Sequence, residues 1–163
     1  MATTVKHFPG LGGATVNTDE GSATVARTRE QLEEDLGPYV FAIQQGTEFI
    51  MASHAVYPAL DDERIASQSP EVIEGLLREQ LGYDGVVMTD SLEAAAVQAV
   101  ADVEQAAVAS AEAGVDLILT TGRGSYSRVF RALLARARED PVFRDRVRAS
   151  AARVLAAQSS LDG

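Results

Sequence analysis

The sequence predicts an α/β protein built on four parallel strand–helix units. Three observations predict it. Apolar and β-branched runs alternate with helical stretches four times along the chain, which in a compact protein means a parallel sheet with right-handed crossovers. The polar residues suited to chemistry (Lys6-His7, His54, Asp90 and Thr120-Thr121) each follow one of those runs, so they would share one rim of the sheet. Finally, Val86-Val87-Met88-Thr89 runs straight into Asp90, the pattern of a buried strand that ends in an acid.

The elements follow in order. A first strand over 2–7 runs into Phe8-Pro9-Gly10-Leu11-Gly12-Gly13, where three glycines and a proline enforce a loop that continues to about residue 26. Thr28-Arg29-Glu30-Gln31 fits a capping box and starts a helix carrying Leu32 and Leu36. Gly37-Pro38 interrupts it, and a second helical stretch over 39–45 ends at Gly46. A second strand over 49–53 ends at His54, with Tyr57-Pro58 in the loop beyond. Ser69-Pro70 opens a helix whose apolar stripe is Val72, Ile73, Leu76, Leu77 and Leu81, stopped by Gly82. The third strand is 86–89. An alanine-rich helical region follows, its later part over 103–113, and a fourth strand over 115–120. Val129, Phe130, Leu133 and Leu134 mark another helix. Pro141 begins the last one, with Val142, Val147, Val154 and Leu155 expected to be buried.

The chain has 163 residues, enough for one domain over 1–163 with a real core, and its 46% hydrophobic content is that of a folded protein. Fourteen basic and 24 acidic residues give a formal charge of −10, which argues against broad nucleic-acid binding and against docking on anionic lipid. There are no cysteines, so disulfides and thiolate metal sites are excluded. No apolar run approaches membrane-spanning length, and the N-terminus lacks the basic patch and apolar core of a signal peptide. A protein expressed as this sequence stands is expected in the cytoplasm. A chain that enters a strand at once reads as a piece of something longer.

Asp90 is either a working carboxylate or the cap of the helix that follows. Lys6-His7 either hold the polar groups of a substrate or pair with a nearby acid and pack. A lone histidine such as His54 is usually structural. With no HExxH, no carboxylate cluster, no GxGxxG and no Walker lysine, neither a metal nor a cofactor is expected. Gly122-Arg123-Gly124-Ser125, at a strand-to-helix turn, offers an anion site at a helix start. Asp19 and Glu20 lie in the long loop after Lys6-His7. A loop carboxylate with a strand-end carboxylate is the minimum for glycoside hydrolysis, which in its retaining form needs the two about 5–5.5 Å apart. Otherwise they are solvated loop charges.

Three stretches taken together narrow these alternatives. Lys6-His7-Phe8-Pro9-Gly10-Leu11-Gly12, then Met51-Ala52-Ser53-His54-Ala55-Val56-Tyr57-Pro58, then Leu81-Gly82-Tyr83-Asp84-Gly85-Val86-Val87-Met88-Thr89-Asp90-Ser91-Leu92 resemble glycoside hydrolase family 3, and most closely its bacterial β-N-acetylglucosaminidases. The resemblance implies a TIM-type (β/α)8 barrel and a retaining mechanism with Asp90 as nucleophile. It implies that Lys6 and His7 bind substrate, and it matches His54 to a position at the barrel mouth, which makes His54 a third substrate-binding candidate. The hexosaminidase group carries Asp-Ser-His in the loop after the first motif, with the histidine as acid/base. This chain has Asn17-Thr18-Asp19, so Asp19 stands in that slot and is the candidate acid/base.

The resemblance also implies half a barrel. A TIM barrel takes about 250 residues, and these motifs belong to its fifth to eighth units. Four parallel strands cannot close alone, and their open edges call for a partner. Two copies about a two-fold axis would supply eight strands, so a homodimer, or a complementary half-barrel, is expected. The partner molecule would be a carbohydrate: β-linked N-acetylglucosamine or a related glycoside. Activity is expected to be weak or lost, because substrate contacts from the other half are missing. The competing expectations are a non-catalytic (β/α)4 half-barrel, natural or engineered, that self-assembles, and an anion-binding α/β protein using the Gly122–Ser125 turn.

Overall fold

A computed structural model describes residues 2–14 and 16–161. Three parallel strands form the sheet in the order β1 (Thr4–Phe8), β2 (Phe49–Ala52), β5 (Val86–Thr89). Val5 stands beside Ile50, and Ile50 beside Val87, so these residues fall on one face. That face packs on the helices. Ile50, Val87 and Phe8 meet Leu32, Leu36 and Tyr39 on one side and Val72, Ile73 and Leu77 on the other. The row Lys6, Met51, Met88 points the opposite way.

The helices begin where the sequence says they should. Thr28 and Gln31 form the expected reciprocal box, and α1 spans Arg29–Asp35. Gly37-Pro38 does not break the chain so much as start α2 (Gly37–Gln44), with the proline in its first turn where its missing N–H costs nothing. Ser69 caps the next helix, its hydroxyl accepting from Val72 N–H at 3.2 Å. That helix, Glu71–Gln80, is wound with i→i+5 hydrogen bonds as a π-helix. After the short α3 (Ala95–Gln98), α4 (Val103–Glu112) starts at a second capping box, Asp102 with Gln105, which the sequence reading passed over. Helices α5 (Ser125–Glu139) and α6 (Pro141–Leu161) follow. A second core of Leu92, Val97, Val103, Ala107 and Val129 joins α3, α4 and α5 to the rim after β5.

Three expectations need correction. The fourth strand, expected over 115–120, is a single bridge between Met88 and Leu117. Backbone bonds still run along this edge, Thr89 N–H to the Leu117 carbonyl at 3.0 Å and Leu117 N–H to the Val87 carbonyl at 3.1 Å, while side chains take two further N–H groups: the Asp116 carboxylate accepts Val87 N–H at 3.0 Å, and the Thr89 hydroxyl accepts Leu119 N–H at 2.9 Å. Second, the segment after His54 is no plain loop but an antiparallel hairpin, β3 (Val56–Tyr57) with β4 (Asp61–Ile65). Third, Val142 and Leu155 are 77% and 62% exposed; Phe143 is what anchors α6, at 3%.

Three of the exposed apolar residues, Tyr126, Phe130 and Leu155, gather at the Leu117 edge of the sheet. There an open groove of about 610 Å³ is lined by Leu117, Ile118, Tyr126, Phe130, Val154 and Leu155. Beneath it Asp116, fully buried, binds Arg78 at 2.5 Å and Arg153 at 3.1 Å, tying the π-helix and α6 to β5.

Candidate active site

Asp90 follows β5 directly, on the C-terminal rim of the sheet. Its carboxylate meets two donors. His7 Nε2, from β1, lies 3.1 Å from Oδ2, and the Ser91 N–H donates to Oδ1 at 2.8 Å. Both side chains are 25% exposed, so the pair opens to solvent on one side. The hydrogen bond from His7 holds the Asp90 carboxyl at about 2 against the opposing effect of burial, with help from the Ser91 amide. Asp90 is therefore an anion at neutral pH, as a nucleophile must be.

His54 sits just behind the pair. It is 1% exposed. Its Nε2 lies 3.2 Å from the Ser91 carbonyl and its Nδ1 2.8 Å from the Ser67 hydroxyl. A carbonyl only accepts, so the proton is assigned to Nε2 and the Ser67 hydroxyl donates to Nδ1. Burial lowers the His54 pKa, with the nearby Asp90 charge opposing it, and the ring stays neutral at pH 7. Both nitrogens are engaged inside the chain.

Lys6 is exposed and forms no ion pair with another described residue. It lines a shallow recess with Val5, Gly10, Asp35 and Tyr39. The Lys6-His7 peptide is cis, as is Phe8-Pro9. Asp19 is also exposed, in a turn where its N–H donates to Asn17 Oδ1 at 3.1 Å. The loop carrying it is pinned next door: Thr18 is buried, and its carbonyl accepts from Ala96 N–H at 3.0 Å. The structure thus joins His7 and Asp90 directly and His54 through Ser91. Among the described residues it makes no bond from that group to Lys6 or Asp19. No three metal-ligating side chains cluster among the described residues.

The turn expected to take an anion already holds one of the chain's own. Glu93 accepts from Thr121 N–H and Gly122 N–H, both at 2.9 Å, and from the Ser91 hydroxyl at 3.0 Å. Burial opposes the charge, but these bonds and one from the Ser125 hydroxyl bring the Glu93 carboxyl down to about 2. The anion site at the start of α5 is filled from within. Sequence reasoning missed Glu93, Ser91 and Ser67. The available signal was a lone acid in Leu92-Glu93-Ala94-Ala95-Ala96, three residues past a strand-end carboxylate.

The fold and rim define an α/β domain whose polar groups gather at the C-terminal ends of parallel strands, with an ionised carboxylate held by an imidazole at their centre. Residues 1–157 match the family described as glycosyl hydrolase family 3 N terminal domain. The chain belongs to glycosyl hydrolase family 3. It is 35% identical over 166 residues to an uncharacterized secreted glycosyl hydrolase of Arthroderma benhamiae, covering 99% of this chain and 47% of that protein. A beta-hexosaminidase of Xanthomonas oryzae pv. oryzae is 39% identical over 120 residues, covering 73% of this chain and 36% of that protein. The solved structure of a glycoside hydrolase family 3 beta-N-acetylglucosaminidase from Paenibacillus sp. superposes with a TM-score of 0.91 at 36% identity, covering 99% of this chain and 32% of that one. The chain therefore spans half or less of these relatives. No helix of the described residues is long and apolar enough to cross a membrane.

Proposed function

We propose that this chain is the nucleophile-bearing part of a retaining β-N-acetylhexosaminidase-type glycosidase acting on β-linked N-acetylglucosamine or a related glycoside. The observation that carries the reading is Asp90, ionised on the strand rim and fixed by His7 at 3.1 Å. In the first step an Asp90 oxygen attacks the anomeric carbon, and an ester to the sugar forms as the bond to the leaving oxygen breaks. The leaving oxygen takes a proton from the acid/base, for which Asp19 is the candidate. Water then attacks the same carbon, loses its proton to that base, and frees Asp90. Lys6 and His7 hold sugar hydroxyls in this scheme. Because His54 is buried with both nitrogens engaged, its part is to hold Ser91.

The same proposal makes the chain a half-barrel over 1–163 that needs a second half, most simply another copy of itself. Support comes from two sheet edges, the β1 backbone and the groove beside Leu117, that lack a strand partner among the described residues. The second reading, a non-catalytic half-barrel that self-assembles, rests on the same edges.

Hydrolysis of an aryl β-N-acetylglucosaminide by the chain, with Asp90→Ala as control, separates the two. Turnover that the substitution abolishes supports the glycosidase reading. No turnover by a chain that light scattering shows to be a stable dimer supports the second. A dilute, stable monomer removes the half-barrel assembly.

A further inference from the structure

Outside the His7–Asp90 pair, the densest polar cluster is the one around Glu93. Its carboxylate takes four hydrogen bonds within 3.3 Å from Ser91 and from the Thr121-Gly122 turn. Gly122 shows how closely the turn wraps it: a Cβ there would stand 2.6 Å from Glu93 Oε1 and 2.5 Å from Ser125 Oγ. No space remains for an external anion.

Ser91 links this cluster to Asp90. Its hydroxyl donates to Glu93 Oε2 at 3.0 Å and lies 2.9 Å from the Thr121 hydroxyl. Its carbonyl accepts from His54 at 3.2 Å. Its N–H donates to Asp90 Oδ1 at 2.8 Å. That last bond is between sequence neighbours, so its direction follows the peptide plane that joins Asp90 to Ser91, and the first three contacts hold the Ser91 side of that plane. Resting on the reading of Asp90 as the nucleophile, we infer that Glu93 is a positioning residue that sets the Asp90 carboxylate through Ser91, using the α5 turn as its anchor. Glu93 does not touch the substrate. Its side chain is committed to the turn, and an ionised carboxylate is the group that matches two converging N–H donors and a hydroxyl.

Glu93→Gln tests this. An amide presents its NH2 to one of the two backbone N–H groups and loses that bond. The readout is the carboxyl NMR titration of Asp90 in the 163-residue chain, which needs no substrate and so stands apart from whether the chain turns over sugar. Asp90 is expected to titrate higher than about 2 in Glu93→Gln. Ser91→Ala keeps the Thr121 and Gly122 N–H bonds to Glu93 and removes the Ser91 hydroxyl's contacts with Glu93 and Thr121, and it is expected to raise the Asp90 midpoint in the same direction. It is the deciding variant if Glu93→Gln does not fold. In a chain or assembly that turns over substrate, both variants lower kcat with KM nearly unchanged. An unmoved Asp90 midpoint in Ser91→Ala, or in a folded Glu93→Gln whose thermal midpoint has dropped, overturns the inference and leaves Glu93 a loop clamp only.

Discussion

His7 Nε2 and Asp90 Oδ2 stand 3.1 Å apart although their strands are not neighbours, for β2 lies between β1 and β5. Adjacent strands are about 4.8 Å apart, so the contact bridges about 10 Å of sheet. The register of β1 shifts between Lys6 and Phe8, which re-aims His7. Between the two, β2 ends at Ala52 and Ser53 follows it, both small residues that leave the span clear. Replacing His7 by Phe removes the donor. The Asp90 midpoint should then rise from about 2 by about one pH unit, read by carboxyl NMR.

Under the proposed mechanism, loss of the Asp90 carboxylate should lower turnover of an aryl β-N-acetylglucosaminide by at least about a thousandfold. Asp19→Asn should cost about 10²-fold, and more for poor leaving groups than for good ones, because only the former need the proton. Steady-state rates across a series of aryl leaving groups check both. Equal losses for all leaving groups would take the acid/base role away from Asp19.

Acid should destabilise the protein in a defined window. Asp90 and Glu93 titrate at about 2 when folded and in the ordinary carboxylate range when unfolded. Below about pH 4.5 the unfolded chain therefore takes up protons that the folded chain refuses, and stability falls from there toward pH 2. Asp90 accounts for at most about 2 kcal/mol of this, less after solvent screening. His54 adds an earlier slope, since burial lowers its pKa and the unfolded chain is the first to be protonated as pH falls through 6.5. Urea midpoints against pH check this, and Asp90→Asn should flatten the lower slope.

Asp116→Ala should be among the most damaging single changes. It removes the fully buried partner of Arg78, whose own side chain is 8% exposed, and it frees Val87 N–H. An uncompensated buried charge costs about 3–5 kcal/mol, a loss measurable by denaturant unfolding with a circular dichroism signal.

Phe130→Asp places a charge in the groove beside Leu117, where Phe130 is 53% exposed and stacks on Tyr126 with ring centroids 6.2 Å apart. It should leave the monomer's unfolding free energy within about 0.5 kcal/mol of the parent while shifting the proposed dimer to monomer in light scattering. An unchanged mass would place the assembly elsewhere.

Much of this was legible in the residues. Asp90 stood out because an apolar run ended in a charge. Thr28 and Gln31 spelled out a cap, and the parallel order of β1, β2 and β5 followed from strand–helix alternation. The losses have physical causes. Asp61–Ile65 reads as a charged loop because its three middle residues face water, and only its ends, Asp61 and Ile65, are buried. The segment over 115–120 bonds to the β5 edge but forms a single bridge at Leu117, with the Asp116 and Thr89 side chains taking two of the N–H groups there, and an apolar pattern carries no sign of that. Val142 and Leu155 look like core residues in a helix, but hydrophobicity does not say which face finds a partner. Glu93 went unseen because, Ser91 apart, its donors come from residues 121–125, about thirty positions away in the chain.

With Glu93 lodged at the start of α5, that helix is yoked to the loop bearing Asp90. Tyr126, which lines the groove, belongs to the same first turn as Ser125, one of the groups gripping Glu93. A body that settles into the groove thus presses on a lever whose other arm ends at the rim. In the proposed assembly, a change at the groove would therefore reach Asp90 through α5 and Glu93.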